Sequence, residues 1–151
     1  MGVEITWTTK AQPLTDAQVT RAVEAALEHG GRSGASIEVA FVDDATLAEL
    51  HGRFLDDHSS TDVMSFDLGD EGGGPAGEVY VSVDRAEVVA GRRGQSWERE
   101  LTLYLVHGVL HLCGFDDLEE EDRPAMRGAE VAVLETLGLP PDGLDHGLGG
   151  D

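Results

Sequence analysis

Two histidines four residues apart, His107 and His111, are the side chains of this sequence best suited to chemistry. A spacing of four places both imidazoles on one face of a helix, one turn apart. Imidazole nitrogens that face the same way in an apolar setting can hold a divalent metal ion such as zinc. The pair therefore predicts a metal site, and the alternative is that each histidine is a hydrogen-bonded residue of the core.

A third ligand is expected just beyond the pair. Gly114 can end the helix in a left-handed conformation, and the reversed chain can bring Asp117 back to the same point. The spacing H-x3-H-x2-G-x2-ligand is that of the metzincin zinc motif, here with a carboxylate as third ligand. Asp116 is the rival ligand, and Asp117 also fits as the N-cap of the next helix. Two histidines and one carboxylate form a catalytic zinc site that keeps a fourth position open.

The residue after the first histidine distinguishes this motif from that of the peptidases. Metzincin peptidases have a glutamate there, which activates the zinc-bound water, whereas this chain has Gly108. The usual peptidase base is therefore missing. Cys113 lies two positions past His111 and points to the far side of the helix, so it is not expected to be a ligand.

The helix that carries the motif is expected to lie at the centre of the fold. From a cap at Ser96 to about Leu112, apolar residues occur on every side, which is typical of a buried helix. Alternation and turn residues predict strands near residues 3–7, 37–41, 63–66 and 79–83. Caps and periodicity predict further helices that start after Thr15, Asp43 or Asp44, and Asp84, and a last helix near 120–137. The predicted class is α+β, a small mixed sheet of about four strands packed with about five helices around a metzincin-like zinc-binding helix.

Composition limits the class of protein. The chain has 151 residues, 30 acidic against 10 basic, and a formal charge of −20 with histidine neutral. This length favours one domain, predicted over residues 1–138, followed by a flexible Gly-rich tail over 139–151 that contains His146. A uniformly acidic surface repels phosphates and disfavours a generic nucleic-acid-binding module. A polyanionic substrate then requires a local basic patch or a bound cation.

The sequence also gives an expectation for cellular location. No apolar run approaches the roughly 20 residues of a membrane span, and the N-terminal residues do not follow the pattern of a secretion signal. The single cysteine excludes an internal disulfide and is compatible with a reducing compartment. A cytoplasmic protein is therefore predicted.

The metal motif resembles that of the YbeY family of rRNA-maturation endoribonucleases. The family signature is H-G-x-L-H-L-x-G-[YF]-D-H, and residues 107–117 read HGVLHLCGFDD, which differs only at the last position. The family segment P-T-D-V-L-S-F is similar to residues 60–66, STDVMSF, where Ser60 replaces the proline. A Gly-acidic strand at 77–82 and the helix at 126–130 also fit. The similarity spans about residues 37–138.

The resemblance implies a cytoplasmic, single-strand-specific, zinc-dependent endoribonuclease that matures the small-subunit rRNA 3′ end and acts in ribosome quality control. It implies one zinc ion held by the residues that match the family triad, His107, His111 and Asp117. The implied partners are single-stranded RNA, rRNA and ribosomal particles, with no DNA and no membrane. Two departures limit what can be carried over from the family to this chain. Asp117 replaces the family's third histidine, and Leu55 follows Phe54 where the family has a functional arginine.

Two other sets of residues are candidates for a part in the reaction. The best remaining basic cluster, which also fits as ordinary surface arginines, is Arg85, Arg92, Arg93 and Arg99. No general base follows from the spacing, and Asp62 and Glu78 are conjectural candidates.

Two alternative functions remain open at the level of the sequence. The first is a non-catalytic ribosome-assembly factor with a structural zinc site, which is favoured by Leu55 and by the acidic surface. The second is a zinc peptidase, which the motif spacing suggests and Gly108 disfavours.

Overall fold

The part of the chain that the structure describes, residues 2–55, 62–69, 74–115 and 120–141 of a computed structural model, forms four strands and five α-helices. The strands are β1 (Val3–Trp7), β2 (Ile37–Val42), β3 (Val63–Asp67) and β4 (Gly77–Ser82). The helices are α1 (Asp16–His29), α2 (Asp44–Leu55), α3 (Val83–Arg93), α4 (Trp97–Leu112) and α5 (Arg123–Thr136), with a 3-10 turn at Glu120–Asp122. The predicted α+β class is confirmed. None of the described helices has both the length and the apolar character that a bilayer crossing needs.

The four strands form a mixed sheet in the order β1-β2-β4-β3. Strands β1, β2 and β4 run parallel, and β3 is antiparallel to β4. Side chains alternate between the two faces of each strand, so one face of the sheet is apolar and buried. The fully buried residues of this inner face in β2 and β4 are Ile37, Val39, Phe41, Val79 and Val81.

Helix α4 packs on the inner face of the sheet, against β3 and β4, and also contacts α1, α3 and α5. All its residues are buried except Trp97, Glu98 and His111. The helix begins at the predicted cap, where Ser96 Oγ accepts a hydrogen bond from the Arg99 N–H at 3.1 Å. The prediction of a buried central helix is therefore confirmed.

The starts of two other helices show one confirmed cap and one correction. At α1 the side chain of Thr15 accepts from the N–H of Gln18 at 3.1 Å, and the Gln18 side chain accepts in return. The prediction that Asp84 caps α3 is wrong, because Ser82 Oγ accepts from the Arg85 N–H at 3.2 Å. Strand β4 runs into α3 without a loop, so the last residue of the strand is also the cap.

The outer face of the sheet is covered in part by α2 and carries a row of carboxylates. Leu47 of α2 packs there in a second apolar cluster. Near the start of the parallel strands, Glu4, Glu38 and Glu78 pair across β1, β2 and β4. Burial, followed by the charges of the two neighbouring glutamates, raises the pKa of Glu38. The row therefore concentrates negative charge on one side of the sheet.

The chain after α5 returns to the start of α4. The Arg99 side chain, 1% exposed, donates from Nε to the Pro140 carbonyl at 3.0 Å. Leu139 packs against the main apolar core. Residues 142–151, including His146, lie outside the described residues, so the boundary at 138 and the flexible tail stay predictions.

Candidate metal centre

His107 and His111 lie one turn apart in the C-terminal half of α4 and turn toward each other. Their Nε2 atoms are 3.0 Å apart, and the two ring planes meet at 78°. Two nitrogens bound to one tetrahedral zinc ion at about 2.05 Å lie roughly 3.3 Å from each other. The observed spacing fits a hydrogen bond between the two rings. It is also close to that of two nitrogens on a shared ion, so the donor set fits a divalent cation. His107 is 3% exposed and His111 is half-buried, so the pair is reached from the His111 side.

A buried carboxylate lies behind His107. Glu130 of α5 is 1% exposed, and its Oε2 lies 2.5 Å from Nδ1 of His107. When Nδ1–H donates to this carboxylate, Nε2 presents its lone pair toward His111. Metal-binding histidines are commonly oriented in this way. The sequence analysis assigned no role to Glu130. An acidic residue among the apolar residues on one face of a predicted helix is nevertheless a sequence signal of a buried polar contact.

Gly108 sets the position of α4 against the sheet. A Cβ atom at this position would lie 2.7 Å from Val79 Cγ1 and 2.8 Å from Val63 Cγ2. The Ser65 hydroxyl donates to the Gly108 carbonyl at 2.7 Å and joins β3 to the helix. Since there is no room for a side chain, a glutamate cannot replace Gly108 in this packing. The peptidase base is therefore absent for a structural reason.

The C-terminal end of α4 is held by the residues that follow α1. Arg32 donates to the Leu112 carbonyl at 2.6 Å, and a cation at this position also interacts favourably with the helix dipole. Cys113 packs so closely against Gly30 that an added Cβ there would lie 2.4 Å from its Sγ. Burial raises the pKa of the Cys113 thiol. These contacts fix the end of the helix just after the histidine pair.

The chain turns directly after α4, where the third ligand is predicted. Gly114 has a φ of +101°, in agreement with the predicted left-handed turn. Asp116 and Asp117 lie outside the described residues, as does the side chain of Leu55. Among the residues that the structure describes, no group of three or more His, Cys, Asp or Glu side chains is placed to hold a metal ion. The three-ligand assignment and the zinc ion therefore stay predictions.

Each candidate general base, Glu78 or Asp62, has a partner in the structure other than the histidine pair. Val79 contacts α4, so Glu78, its neighbour in β4, lies on the opposite face of the sheet from the histidines. Glu78 accepts a hydrogen bond from the Tyr80 hydroxyl at 3.2 Å. Asp62 is 3% exposed, and its Oδ1 lies 3.6 Å from Nε of Arg85. Glu78 is thus removed as a candidate, and Asp62 has a structural partner.

The arginines considered as a basic cluster do not share one surface. That cluster is Arg85, Arg92, Arg93 and Arg99. Arg99 is buried, and Arg85 lies between Asp44 and Asp62, at 3.7 Å and 3.6 Å from their carboxylate oxygens. The expectation of a shared patch is corrected, because two of its members are committed to contacts within the protein.

Comparison with known proteins identifies the family. The profile described as endoribonuclease YbeY matches residues 4–138. The chain belongs to the YbeY endoribonuclease family. It is 38% identical to the endoribonuclease YbeY of Carboxydothermus hydrogenoformans over 122 residues, which are 80% of this chain and 85% of that protein. It is also 38% identical to the Desulfitobacterium hafniense protein of the same name over 115 residues, 70% and 73% of the two chains.

A solved structure supports the YbeY assignment at the level of the fold. The chain is similar to a Thermotoga maritima protein whose solution structure is known, with a TM-score of 0.62 and 26% identity over 90% of this chain and 89% of that one. The resemblance based on residues 107–117 and 60–66 is therefore confirmed. The predicted enzyme class, an endoribonuclease, is confirmed with it.

Proposed function

We propose that this protein is a metal-dependent endoribonuclease that cleaves single-stranded RNA, with zinc held by His107, His111 and Asp117. The observation that carries the proposal is the convergence of two Nε2 atoms at 3.0 Å, in a member of the YbeY family. A buried carboxylate behind the first histidine supports the same interpretation. RNA is the substrate class that the relatives' name indicates.

Each residue of the centre has a defined task in this proposal. When bound, a divalent cation supplies Lewis-acid polarisation of a phosphate and of a water molecule. His107 and His111 supply nitrogen donors, and the Glu130 carboxylate contacts Nδ1 of His107. Gly108 and Ser65 hold α4 on the sheet, so the two rings keep their positions during the reaction.

The net charge makes a cation at the histidines useful for binding as well as for chemistry. With a charge of −20, an RNA backbone is repelled over much of the surface. Arg85 and Arg99 both contact groups within the protein, so they do not form a shared basic patch that would offset this repulsion. The positive charge that faces the scissile phosphate is therefore expected at the histidine pair, once it holds a cation.

The proposed cellular role is maturation of the small-subunit rRNA 3′ end and ribosome quality control in the cytoplasm, with ribosomal particles as partners. Its support is the YbeY family membership together with the motif at residues 107–117. A peptidase role has no comparable support, because Gly108 leaves no space for the base that such enzymes use.

The test combines metal content with RNA cleavage by the purified full-length protein. We expect cleavage of a labelled single-stranded RNA to be lost on chelation and restored by zinc. Zinc content should fall in His107→Ala and in His111→Ala, and it should stay unchanged in His51→Ala, a control on α2. Asp117→Ala should also lower zinc content, whereas Asp116→Ala should not.

The alternatives give different results in the same experiment. Stoichiometric zinc in both histidine variants would refute the metal assignment. Zinc binding without RNA cleavage would instead support the ribosome-assembly factor with a structural zinc site. Loss of zinc in Asp116→Ala with full retention in Asp117→Ala would move the third ligand by one residue.

A further inference from the structure

An acidic residue interrupts the buried stripe of α5. The side chains of this stripe are Met126, Ala129, Glu130, Val133 and Leu134. Glu130 is as buried as its apolar neighbours, at 1% exposed. A carboxylate in such a position costs desolvation free energy unless a charged or strongly polar group compensates it. Its presence therefore points to a task that an apolar side chain cannot perform.

The group that faces Glu130 is the first histidine of the metal motif. The 2.5 Å contact between Oε2 and the His107 Nδ1 joins α5 to α4, and both side chains are buried. A carboxylate acceptor and a low local dielectric both strengthen such a hydrogen bond. A neutral imidazole carries one proton, so a proton held on Nδ1 leaves Nε2 as the donor atom for a metal. That Nε2 is the atom that lies 3.0 Å from His111.

We propose that Glu130 is a positioning residue, which selects the Nδ1-protonated form of His107 and aims its Nε2 lone pair at the metal position. The inference rests on the proposed function, since it takes His107 as a ligand. Without the carboxylate, the His107 proton can move to Nε2, or the ring can rotate. Partners of this kind commonly change metal affinity by about 10- to 100-fold.

Two variants separate the charge of Glu130 from its shape. Glu130→Gln keeps the size and a carbonyl acceptor but removes the charge, whereas Glu130→Met removes the acceptor and suits the apolar stripe. Glu135→Gln is the matched control, because it removes the same charge from an exposed position of the same helix. The zinc dissociation constant of each full-length protein is measured by competition with a chromophoric chelator at one fixed pH. The proton position on His107 is measured in the metal-free proteins by long-range proton–nitrogen correlation spectra.

We expect zinc binding to weaken about 10-fold in Glu130→Gln and about 100-fold in Glu130→Met, with no change in Glu135→Gln. In the metal-free wild type, the His107 signals should show protonation on Nδ1, and Glu130→Met should shift them toward the other form. Wild-type affinity in Glu130→Met, or an unchanged proton position, would overturn the proposal. If Glu130→Met does not fold, the proposal would be overturned by a wild-type zinc affinity in Glu130→Gln.

The design separates this inference from the proposed function. If the wild type binds no zinc, the proposed function fails, and the spectra of the metal-free protein still decide where the His107 proton lies. If Glu130→Met binds zinc and cleaves RNA as the wild type does, the function stands and Glu130 has no part in it.

Discussion

Replacement of Gly108 by alanine tests how closely the central helix approaches the sheet. The added Cβ would lie 2.7 Å from Val79 Cγ1 and 2.8 Å from Val63 Cγ2. Carbon atoms in contact normally keep at least about 3.5 Å, so both contacts are too short by about 0.7–0.8 Å. Valine has little freedom at χ1, and the interior is densely packed. The helix must therefore move away from β3 and β4.

The expected loss of stability follows from three opposing effects. Overpacking of a core costs about 1–3 kcal/mol, and weakening of the Ser65–Gly108 hydrogen bond adds up to about 1 kcal/mol. Alanine in place of glycine favours the helix by about 1 kcal/mol. The net effect of Gly108→Ala is a free energy of unfolding lower by about 0–3 kcal/mol, with a central value of about 1.5 kcal/mol. In a domain of this size, the central value lowers Tm by roughly 3–6 °C.

The assay is urea unfolding followed by circular dichroism, with a chelator in every sample so that metal binding does not contribute. Gly128→Ala is the matched control, because it lies inside α5 and an added Cβ there meets no heavy atom within 4 Å. This control should gain about 0.5–1 kcal/mol from the lower flexibility of the unfolded chain. Both substitutions add one methyl group, but the predicted changes in the free energy of unfolding have opposite signs.

A second substitution tests whether the contact with Val63 causes the loss of stability in Gly108→Ala. Val63→Ala removes one of the two methyl groups that the new Cβ meets, so its cost should be smaller in the Gly108→Ala background than in the wild type. If Gly108→Ala stabilises the protein as much as Gly128→Ala does, the close approach of α4 to the sheet is refuted.

Two further predictions concern the carboxylate row and the cap of α4. Burial and then the charges of Glu4 and Glu78 raise the pKa of Glu38, so the folded state binds this proton more tightly than the unfolded state. This contribution to stability is complete below the ordinary pKa of 4.5 and is lost as pH rises through the raised value. Glu38→Gln should therefore shift the urea midpoint upward at neutral pH but not in acid. An equal shift at neutral and acidic pH would contradict a raised pKa of Glu38. Ser96→Ala should lower the free energy of unfolding by about 1 kcal/mol in the same assay, because it removes the cap; an unchanged value would show that the cap contributes nothing.

The local signals of the sequence predicted most of the fold. The Thr15 capping box and the Ser96 cap mark the starts of α1 and α4, and the apolar residues around α4 predicted its central position. The start of α3 was missed because β4 leads into it without a loop. Ser82 then serves both elements, and its residue type does not distinguish it from Asp84, because serine and aspartate are about equally favoured as caps. Such a direct junction is set by the packing of α3 and leaves no separate signal in the sequence.

The candidate site was predictable only where its residues share one element. A spacing of four places His107 and His111 together whatever the rest of the fold does. Glu130 reaches His107 from 23 residues away through the docking of α5 on α4, which no periodicity describes. Strand alternation places Glu78 and Val79 on opposite faces, but the position of α4 on only one of them had to come from the structure.

The contact between His107 and Glu130 has a consequence for the order of events during synthesis. The imidazole belongs to α4 and the carboxylate to α5, which leaves the ribosome later. A nascent chain that has emerged only through α4 contains both histidines, yet nothing from α5 fixes the ring of His107. Under the proposed assignment, the centre reaches its final geometry only after α5 has docked, so we expect a partly made chain to bind a metal ion more weakly than the chain that includes α5.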